Sequence, residues 1–192
     1  MNKFLIALTL ITLTNTSFAE TLKVTQVKAP NTKMSFLSSD IAHNSTLTNA
    51  QVANGFGCQG QNISPELHWA NAPAGTKSYA ITAYDPDAPT GSGFWHWAVF
   101  NIPADANKLE RNVAQTPEKL PHAATQSYNS TGEANFIGAC PPMGDKAHRY
   151  IFTIYALNTT LELTAKTTPE ILGFTLNGKV LAKSQLIGYY KR

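Results

Sequence analysis

The chain has 192 residues, of which 15 are Lys or Arg and 12 are Asp or Glu, giving a net charge of +3. This length suits a single domain with a sizeable core, and no low-complexity linker or internal repeat divides it. The near balance of charge and the lack of a basic run argue against a nucleic-acid partner.

The first residues of the chain are typical of a secretory signal peptide. The apolar run over residues 4–13 is too short to span a bilayer, and Ser17 and Ala19 fit the small-x-small cleavage rule. A retained membrane anchor or a buried first helix is the alternative. We predict that residues 1–19 are a signal peptide, that residues 20–192 form the mature domain, and that the protein is periplasmic.

The N-terminal part of the mature chain predicts short strands set in loops. Residues 21–27 alternate apolar and polar side chains, which indicates an early strand. Residues 29–60 are mostly polar and contain Pro and Gly, so only short strands are expected there. A further short strand is predicted over residues 67–69, before an Asn/Pro/Gly turn.

Three later segments carry apolar side chains on both faces, which is typical of central strands covered on two sides. They are residues 78–84, 97–102 and 149–157. The loop between the first two is too short for a crossover helix, and the chain shows too little helical periodicity for a βαβ architecture. We therefore predict a mainly β fold, an antiparallel β-sandwich with a few short helices.

The remaining regions give a long loop and a short C-terminal helix. Residues 108–138 lack a sustained period and predict an exposed loop. Thr168 can cap a helix whose first residue is Pro, and an Asn-Gly pair ending at Gly178 predicts its end. A second short helix is expected over residues 180–184, followed by a last strand over residues 185–190.

Two Pro/Gly-rich segments gather polar side chains beside the central strands. The aspartate segment, residues 85–97, reads DPDAPTGSGFWHW, and the proline segment, residues 138–150, reads GACPPMGDKAHRY. Each delivers a His to the mouth of an apolar strand, His96 in the first and His148 in the second. A lone His there is more often structural, but the convergence of two predicts a common site.

The combined residue types suit the binding of an anion such as phosphate. The expected donors are His96, His148, Arg149, the Tyr150 hydroxyl and the backbone amides of Ala139 and Cys140. Asp85 and Asp87 would orient the imidazoles or accept a bond from a ligand amine. Strand alternation is expected to place His96 on the face of Ala98, opposite Trp97. Anion binding should weaken as pH rises through the imidazole range.

An enzyme is the rival interpretation of the same residues. Asp85, His96 and His148 could bind zinc or act as acid and base in hydrolysis. No His-x-x-x-His or Glu-x-x-His spacing supports a metal site, and the sequence around Ser92 is not a nucleophile elbow. We therefore expect a non-enzymatic protein without a metal or cofactor.

Cys58 and Cys140 are the only cysteines in the chain. An exported protein enters an oxidising compartment, so a disulfide between them is predicted. The bond would hold the proline segment against the region around Phe56. Two free, buried thiols are the alternative, and a zinc site would need more ligands than these two.

The two segments resemble the paired signature of the phosphatidylethanolamine-binding protein family, also called Raf kinase inhibitor-like proteins. That signature is D-P-D-A-P followed by H-W, then P-P-x-G and H-R-Y. The resemblance runs from Phe56 to the C-terminus, includes NISPELHW and PAGTKS, and is closest to the bacterial YbhB/YbcL-type branch.

This resemblance implies the sandwich of that family and a small pocket that binds phosphate-bearing molecules or headgroups. The implied ligand-binding positions are Asp85, His96, Pro142, His148 and Tyr150, with Asp87, Trp97 and Arg149 behind them. It also implies an alternative function as a protein inhibitor of a protease or kinase, and a possible homodimer.

Overall fold

The computed structural model of the chain describes residues 27–30 and 32–192. The predicted signal peptide lies outside the described residues, as does the predicted early strand apart from Val27. No helix among the described residues is long and apolar enough to cross a membrane.

Short and long strands dominate the described residues. The strands are β1 (Ser35–Leu37), β2 (Ser45–Thr46), β3 (Asn54–Gly55), β4 (Cys58–Gln59), β5 (Leu67–Ala70), β6 (Ser78–Asp85), β7 (Phe94–Pro103), β8 (Lys108–Leu109), β9 (Thr125–Gln126), β10 (His148–Leu157) and β11 (Val180–Tyr190). The α-helix α1 is Pro169–Thr175, and 3₁₀ turns form at Asn49–Gln51, Val113–Gln115 and Pro117–Lys119.

Two open sheets pack face to face. The larger has the order β2-β11-β10-β6-β7-β9 and the smaller has the order β1-β5-β8. Every pairing in them is antiparallel except that of β2 with β11. The core between them joins Phe36 and Trp69 of the small sheet to Ile81, Trp97 and Phe152 of the large one. The predicted mainly β sandwich is therefore confirmed.

The opposite face of the large sheet is covered as well. Phe100 and Leu157 pack there with Leu172 and Leu176, from α1 and the residue that follows it. Thr168 caps the helix through its side chain, as predicted, by accepting a hydrogen bond from the Ile171 amide. Burial on both faces explains why the central strands are apolar throughout.

The predicted helix over residues 180–184 is wrong, because these residues begin β11. That strand pairs with β10 along its whole length, and Ala182 lies buried in the core. A five-residue segment is too short to distinguish helix from strand by its period, and here the pairing decides.

The prediction of an exposed loop over residues 108–138 is also wrong in large part. The region contains β8, β9 and two 3₁₀ turns, and it buries Val113, Gln126, Ser127 and Phe136. Some of its buried polar side chains form specific hydrogen bonds. An example is Gln126, which accepts a bond from Trp97 and donates one to a backbone carbonyl. Such contacts have no sequence period.

Candidate functional site

The two predicted segments meet where the central strands of the large sheet end. β6 ends at Asp85, and its antiparallel neighbour β10 begins at His148, with Tyr84 opposite Ile151. β7 begins at the same end of the sheet, where Phe94 lies opposite Asp85. Antiparallel pairing therefore gathers the polar ends of three central strands.

A cavity of about 210 Å³ opens at this end of the sheet. All five predicted ligand-binding residues line it, namely Asp85, His96, Pro142, His148 and Tyr150. Much of the remaining wall is apolar, including Phe56, Pro89, Phe94 and Ile137. Asp87, Trp97 and Arg149 do not line it.

Asp85 organises the site from a buried position. One carboxylate oxygen accepts a hydrogen bond from His148 Nδ1 at 2.7 Å. The other accepts the backbone amides of Asp87 at 2.8 Å and Ala88 at 3.1 Å, an aspartate-capped turn. The same side chain thus folds the aspartate segment and holds an imidazole of the proline segment.

His148 lies between two carboxylates and is fully buried. Its Nε2 contacts Asp145 Oδ2 at 3.2 Å, while Nδ1 bonds to Asp85. Burial lowers the pKa of His148, but the hydrogen bonds to Asp85 and Asp145 outweigh it, so the pKa is raised. Both ring nitrogens are engaged, and neither is free to donate to a ligand as the sequence interpretation expected.

His96 occupies a β-bulge, which overturns the predicted alternation. Ala83 lies opposite Trp97 and Tyr84 opposite Trp95, so His96 is the extra residue on β7. A bulge turns two successive side chains towards the same face. His96 therefore packs against Tyr150, with ring centroids 5.1 Å apart, on the face that also buries Trp97.

The hydrogen bonds of His96 fix its neutral tautomer. Nδ1 lies 2.7 Å from the carbonyl oxygen of Ile137, which can only accept, so Nδ1 carries the proton. The Ile137 amide in turn donates to the His96 carbonyl at 3.0 Å. Burial lowers the pKa of His96. The neutral ring leaves Nε2 as a hydrogen-bond acceptor, and it has no partner among the described residues.

Tyr150 supplies the complementary group. Its hydroxyl is buried and donates to no acceptor within the described part of the chain. Burial and the negative charge of Asp85 raise the pKa of Tyr150, although the Cys140 amide, a donor predicted from the sequence, lies close enough to the phenol oxygen to lower the pKa in part. The hydroxyl therefore keeps its proton. The cavity is therefore lined by one unpaired buried acceptor and one unpaired buried donor.

Asn62 supports the His96 contact, a role that the sequence interpretation missed. Its side chain donates to the Phe136 carbonyl at 3.2 Å and accepts the Gly138 amide at 2.8 Å. It thereby holds the stretch that presents the Ile137 carbonyl. The next amide, that of Ala139, donates to the Gln51 carbonyl at 2.9 Å. Ala139 is therefore not the free donor that was expected, and only the turn-like NISP motif pointed to Asn62.

Asp87 and Arg149 form a bidentate ion pair outside the cavity. Arg149 Nε and Nη2 donate to the two carboxylate oxygens at 2.8 and 3.0 Å, and Lys146 Nζ adds a third contact at 3.1 Å. The Arg149 hydrogen bonds hold the pKa of Asp87 well below its usual range. The pair ties the aspartate segment to the proline segment, and no Lys or Arg of the described chain lines the cavity.

A disulfide joins Cys58 and Cys140, as predicted, with a Cα–Cα distance of 5.9 Å. It places the proline segment beside the loop around Gly57. Arg192 reinforces this contact by donating to the Pro141 carbonyl at 2.6 Å and to the Gly57 carbonyl at 2.8 Å. This role of Arg192 had no counterpart in the sequence motifs.

A larger cavity of about 430 Å³ lies on the other face of the sheet, beside α1. Tyr84, Trp95 and Tyr155 line it together with Arg149, whose charge is already paired with Asp87. None of the five predicted ligand-binding residues reaches it. The smaller cavity is the better candidate because unpaired buried polar atoms lie in its wall. In the described chain, no group of three or more His, Cys, Asp or Glu residues is arranged to hold a metal ion.

The sequence signature of one known family, described as phosphatidylethanolamine-binding protein, matches residues 37–191. The chain belongs to the phosphatidylethanolamine-binding protein family. It is similar to the UPF0098 protein YbcL of Escherichia coli K12, at 44% identity over 156 residues, or 80% of this chain and 85% of YbcL. It is 39% identical to the UPF0098 protein YbhB of the same strain, over 82% of this chain and 99% of YbhB.

Solved structures agree with this membership. The crystal structure of E. coli YbcL, described as a new member of the mammalian PEBP family, superimposes with a TM-score of 0.82 at 42% identity. The match covers 84% of this chain and 99% of that one. A homologue from Chlamydia trachomatis matches with a TM-score of 0.70 at 28% identity, over 83% of this chain and 97% of that one. The family resemblance and the fold inferred from it are thus confirmed.

Proposed function

We propose that this chain is a periplasmic, non-enzymatic binding protein that holds a small phosphate-bearing ligand between the aspartate and proline segments. The observation that carries the proposal is the pair of unpaired buried atoms, His96 Nε2 and the Tyr150 hydroxyl, in the wall of one cavity. An unpaired buried polar group costs about 1–3 kcal/mol, so native proteins rarely keep two together. A ligand that pairs with both removes that cost.

The size and walls of the cavity support a small ligand group. A volume of about 210 Å³ is below the range usual for drug-sized ligands and suits a phosphate with a short substituent. Phe56 stands at the rim and is 71% exposed, so an apolar substituent could continue onto it. The family is named for a lipid that contains a phosphate, which supports phosphate as the group that is recognised.

The contacts of the imidazoles support a binding role. A hydroxyl or thiol nucleophile is commonly activated by a base within hydrogen-bond reach. Among the described residues, His96 bonds to a backbone carbonyl and His148 to two carboxylates. We expect no release of inorganic phosphate when the protein is incubated with phosphoethanolamine, as measured by a colorimetric phosphate assay.

The proposed location rests on the N-terminal signal pattern and on the disulfide. A bond between the only two cysteines of the chain fits an oxidising compartment. Mass spectrometry of the protein recovered from periplasm should find Glu20 as the first residue. Recovery of periplasmic protein that still begins at Met1 would count against the signal peptide.

Titration of the Tyr150→Phe variant tests the binding site. The substitution removes only the unpaired hydroxyl, so phosphate affinity should fall about tenfold to a hundredfold, the worth of one charge-assisted hydrogen bond. The free energy of unfolding should stay the same or rise, because a buried unpaired group is removed. Calorimetry with inorganic phosphate and phosphoethanolamine measures the first, and urea denaturation measures the second.

Tyr128→Phe is the matched control, since Tyr128 is half-buried and lies outside this cavity. It should bind both ligands as the wild type does. Equal affinity in the wild type and in Tyr150→Phe would remove the cavity as the binding site. Failure of the wild type to bind either ligand would overturn the proposed function.

A further inference from the structure

The two unpaired atoms in the cavity need different hydrogen-bond partners. His96 Nε2 has a lone pair and can only accept, because Nδ1 already carries the ring proton and donates it to Ile137. The Tyr150 hydroxyl can donate. A fully ionised oxyanion has only acceptor atoms, so it could pair with Tyr150 but would set a lone pair against that of His96. A ligand that satisfies both atoms must bring a hydrogen of its own.

The charges around the cavity also disfavour a doubly charged anion. The charged groups in its wall are Asp85 and His148, and they are bonded to each other, with Asp145 on the far side of His148. Further out, Asp87 is already paired with Arg149 and Lys146. Tyr150 stays protonated, and Tyr190, which lies near it, carries no positive charge. A second negative charge would be buried without an unpaired positive charge in the cavity wall, which is costly.

Building on the proposed function, we propose that the cavity selects a phosphate group that still holds one proton, donating that proton to His96 Nε2 and accepting the Tyr150 hydroxyl. The ligand class is then inorganic phosphate or a phosphate monoester in its singly ionised form. Sulfate and phosphate diesters, which carry no such proton near neutral pH, are poor ligands. A monoester headgroup is thus favoured over the diester linkage of a phospholipid.

The pH dependence of binding then follows the second ionisation of the phosphate ligand. A phosphate monoester loses its second proton near pH 6, whereas burial lowers the pKa of His96 and so favours its neutral ring. Affinity should be level below the second pKa of the ligand and fall about tenfold for each pH unit above it. Burial lowers the pKa of His148, but the hydrogen bonds to Asp85 and Asp145 outweigh it and raise the pKa, and the resulting pH dependence is shared by ligands of matched shape and charge. A difference between the pH profiles of two matched ligands therefore reports the effect of the proton on the phosphate group.

Two matched phosphonates provide the decisive comparison. Methylphosphonate and difluoromethylphosphonate have nearly the same shape, but fluorine makes the second ionisation more acidic. Calorimetric titration between about pH 5 and 8 should show the affinity of the fluorinated ligand falling at lower pH, by the difference between the two ligand pKa values. Sulfate and glycerophosphoethanolamine, a diester that keeps the amine, should bind at least tenfold more weakly than phosphate at about pH 6.

A variant at His96 adds an independent test. The amide of His96→Gln can donate as well as accept, so the ratio of sulfate affinity to phosphate affinity should rise at least tenfold. His122→Gln, which changes an exposed imidazole outside the cavity, should leave the ratio unchanged. If the His96 variant does not fold, the phosphonate comparison on the wild type decides alone.

The outcomes separate the two proposals. Equal pH profiles for the two phosphonates, or sulfate bound as tightly as phosphate, would overturn the proton requirement and leave phosphate binding in place. Tight, pH-independent binding of glycerophosphoethanolamine would show that the amine supplies the hydrogen, which also overturns it. No binding of any oxyanion by the folded wild type would remove both proposals.

Discussion

Asp85 makes more side-chain hydrogen bonds than its neighbours in the cavity wall. It is 2% exposed, holds His148, and accepts two backbone amides of its own turn. A buried carboxylate remains charged only when it is paired and hydrogen-bonded in this way. The sequence predicted that Asp85 would orient an imidazole, and the structure shows that the imidazole is that of His148.

Replacing Asp85 by Asn should remove the charge and keep the shape. We expect a loss of about 3 kcal/mol in unfolding free energy near pH 6, because one partner of a buried ion pair is deleted. The pKa of His148 should fall, since the Asp85 hydrogen bond helps to raise it. NMR titration of the His148 ring protons measures the pKa, and urea denaturation measures the stability.

The pH dependence of this loss has a defined sign. A His whose pKa is raised by folding adds stability that is fully present below its unfolded pKa of about 6.5 and is lost as pH rises through the folded pKa. The gap between wild type and Asp85→Asn should therefore narrow as pH rises above 7. A gap that widened with pH would contradict the assignment of a charged His148.

Asp87→Asn is the matched control, because its loss of stability depends on pH in the opposite direction. Folding lowers the pKa of Asp87, so its contribution is present above about pH 4 and is lost as pH falls below that value. The Arg149 side chain is 45% exposed, and solvent screening limits the effect to about 1–2 kcal/mol. Its stability gap should be level between pH 6 and 8, where the Asp85 gap changes.

At the level of elements, the bulge at His96 decides which side chains reach the cavity. The sequence predicted the central strands correctly, because apolar residues on both faces indicate two-sided burial. It could not predict the extra residue on β7, since a bulge depends on the register with β6 and not on the period of one strand. The predicted helix over residues 180–184 failed for the same reason, because its pairing with β10 is non-local.

The two glycines of the aspartate segment provide a test of how closely this segment is packed. Gly93 has φ of +74°, and a Cβ there would contact the Tyr84 hydroxyl and lie 2.6 Å from the Asp85 carbonyl. Gly91 has φ of +85° with nothing within 4 Å. Gly91→Ala should therefore cost only backbone strain, about 1 kcal/mol, whereas Gly93→Ala should cost about 3 kcal/mol.

Urea denaturation of the two glycine variants measures this difference. Phosphate affinity should also fall in Gly93→Ala, because the displaced segment borders the cavity, and should be unchanged in Gly91→Ala. Equal stability losses in the two variants would show that the segment yields freely. The aspartate segment would then be too compliant to hold the Asp85 carboxylate in a fixed position.

On the scale of the whole molecule, the sequence predicted which distant segments come together but not the contacts that hold them. The paired motifs and the two cysteines each predicted one long-range contact, since each has a recognisable residue type. Asn62 and Arg192 hold the same loops mainly through backbone carbonyls, and Asn62 also accepts a backbone amide. Any residue can supply a backbone carbonyl or amide, so such contacts leave no recognisable motif in the sequence.

The disulfide is the covalent member of this group of contacts, and its removal tests how far the others suffice. It closes a loop of 82 residues, worth up to about 4.5 kcal/mol if the gain comes from restricting the unfolded chain. The double variant Cys58→Ala, Cys140→Ala should lose about 2–4.5 kcal/mol of unfolding free energy. It should still fold, because Asn62 and Arg192 continue to link the same loops.

Binding should respond to the same change, since Cys140 lines the cavity. We expect weaker phosphate binding in the double variant, because the proline segment must then be ordered on binding at an entropic cost. Urea denaturation and calorimetry measure the two effects, and reduced wild-type protein is the control that keeps both sulfur atoms. Unchanged stability in both the variant and the reduced protein would show that the noncovalent contacts alone fix the proline segment, and the disulfide would then have no supporting role at the site.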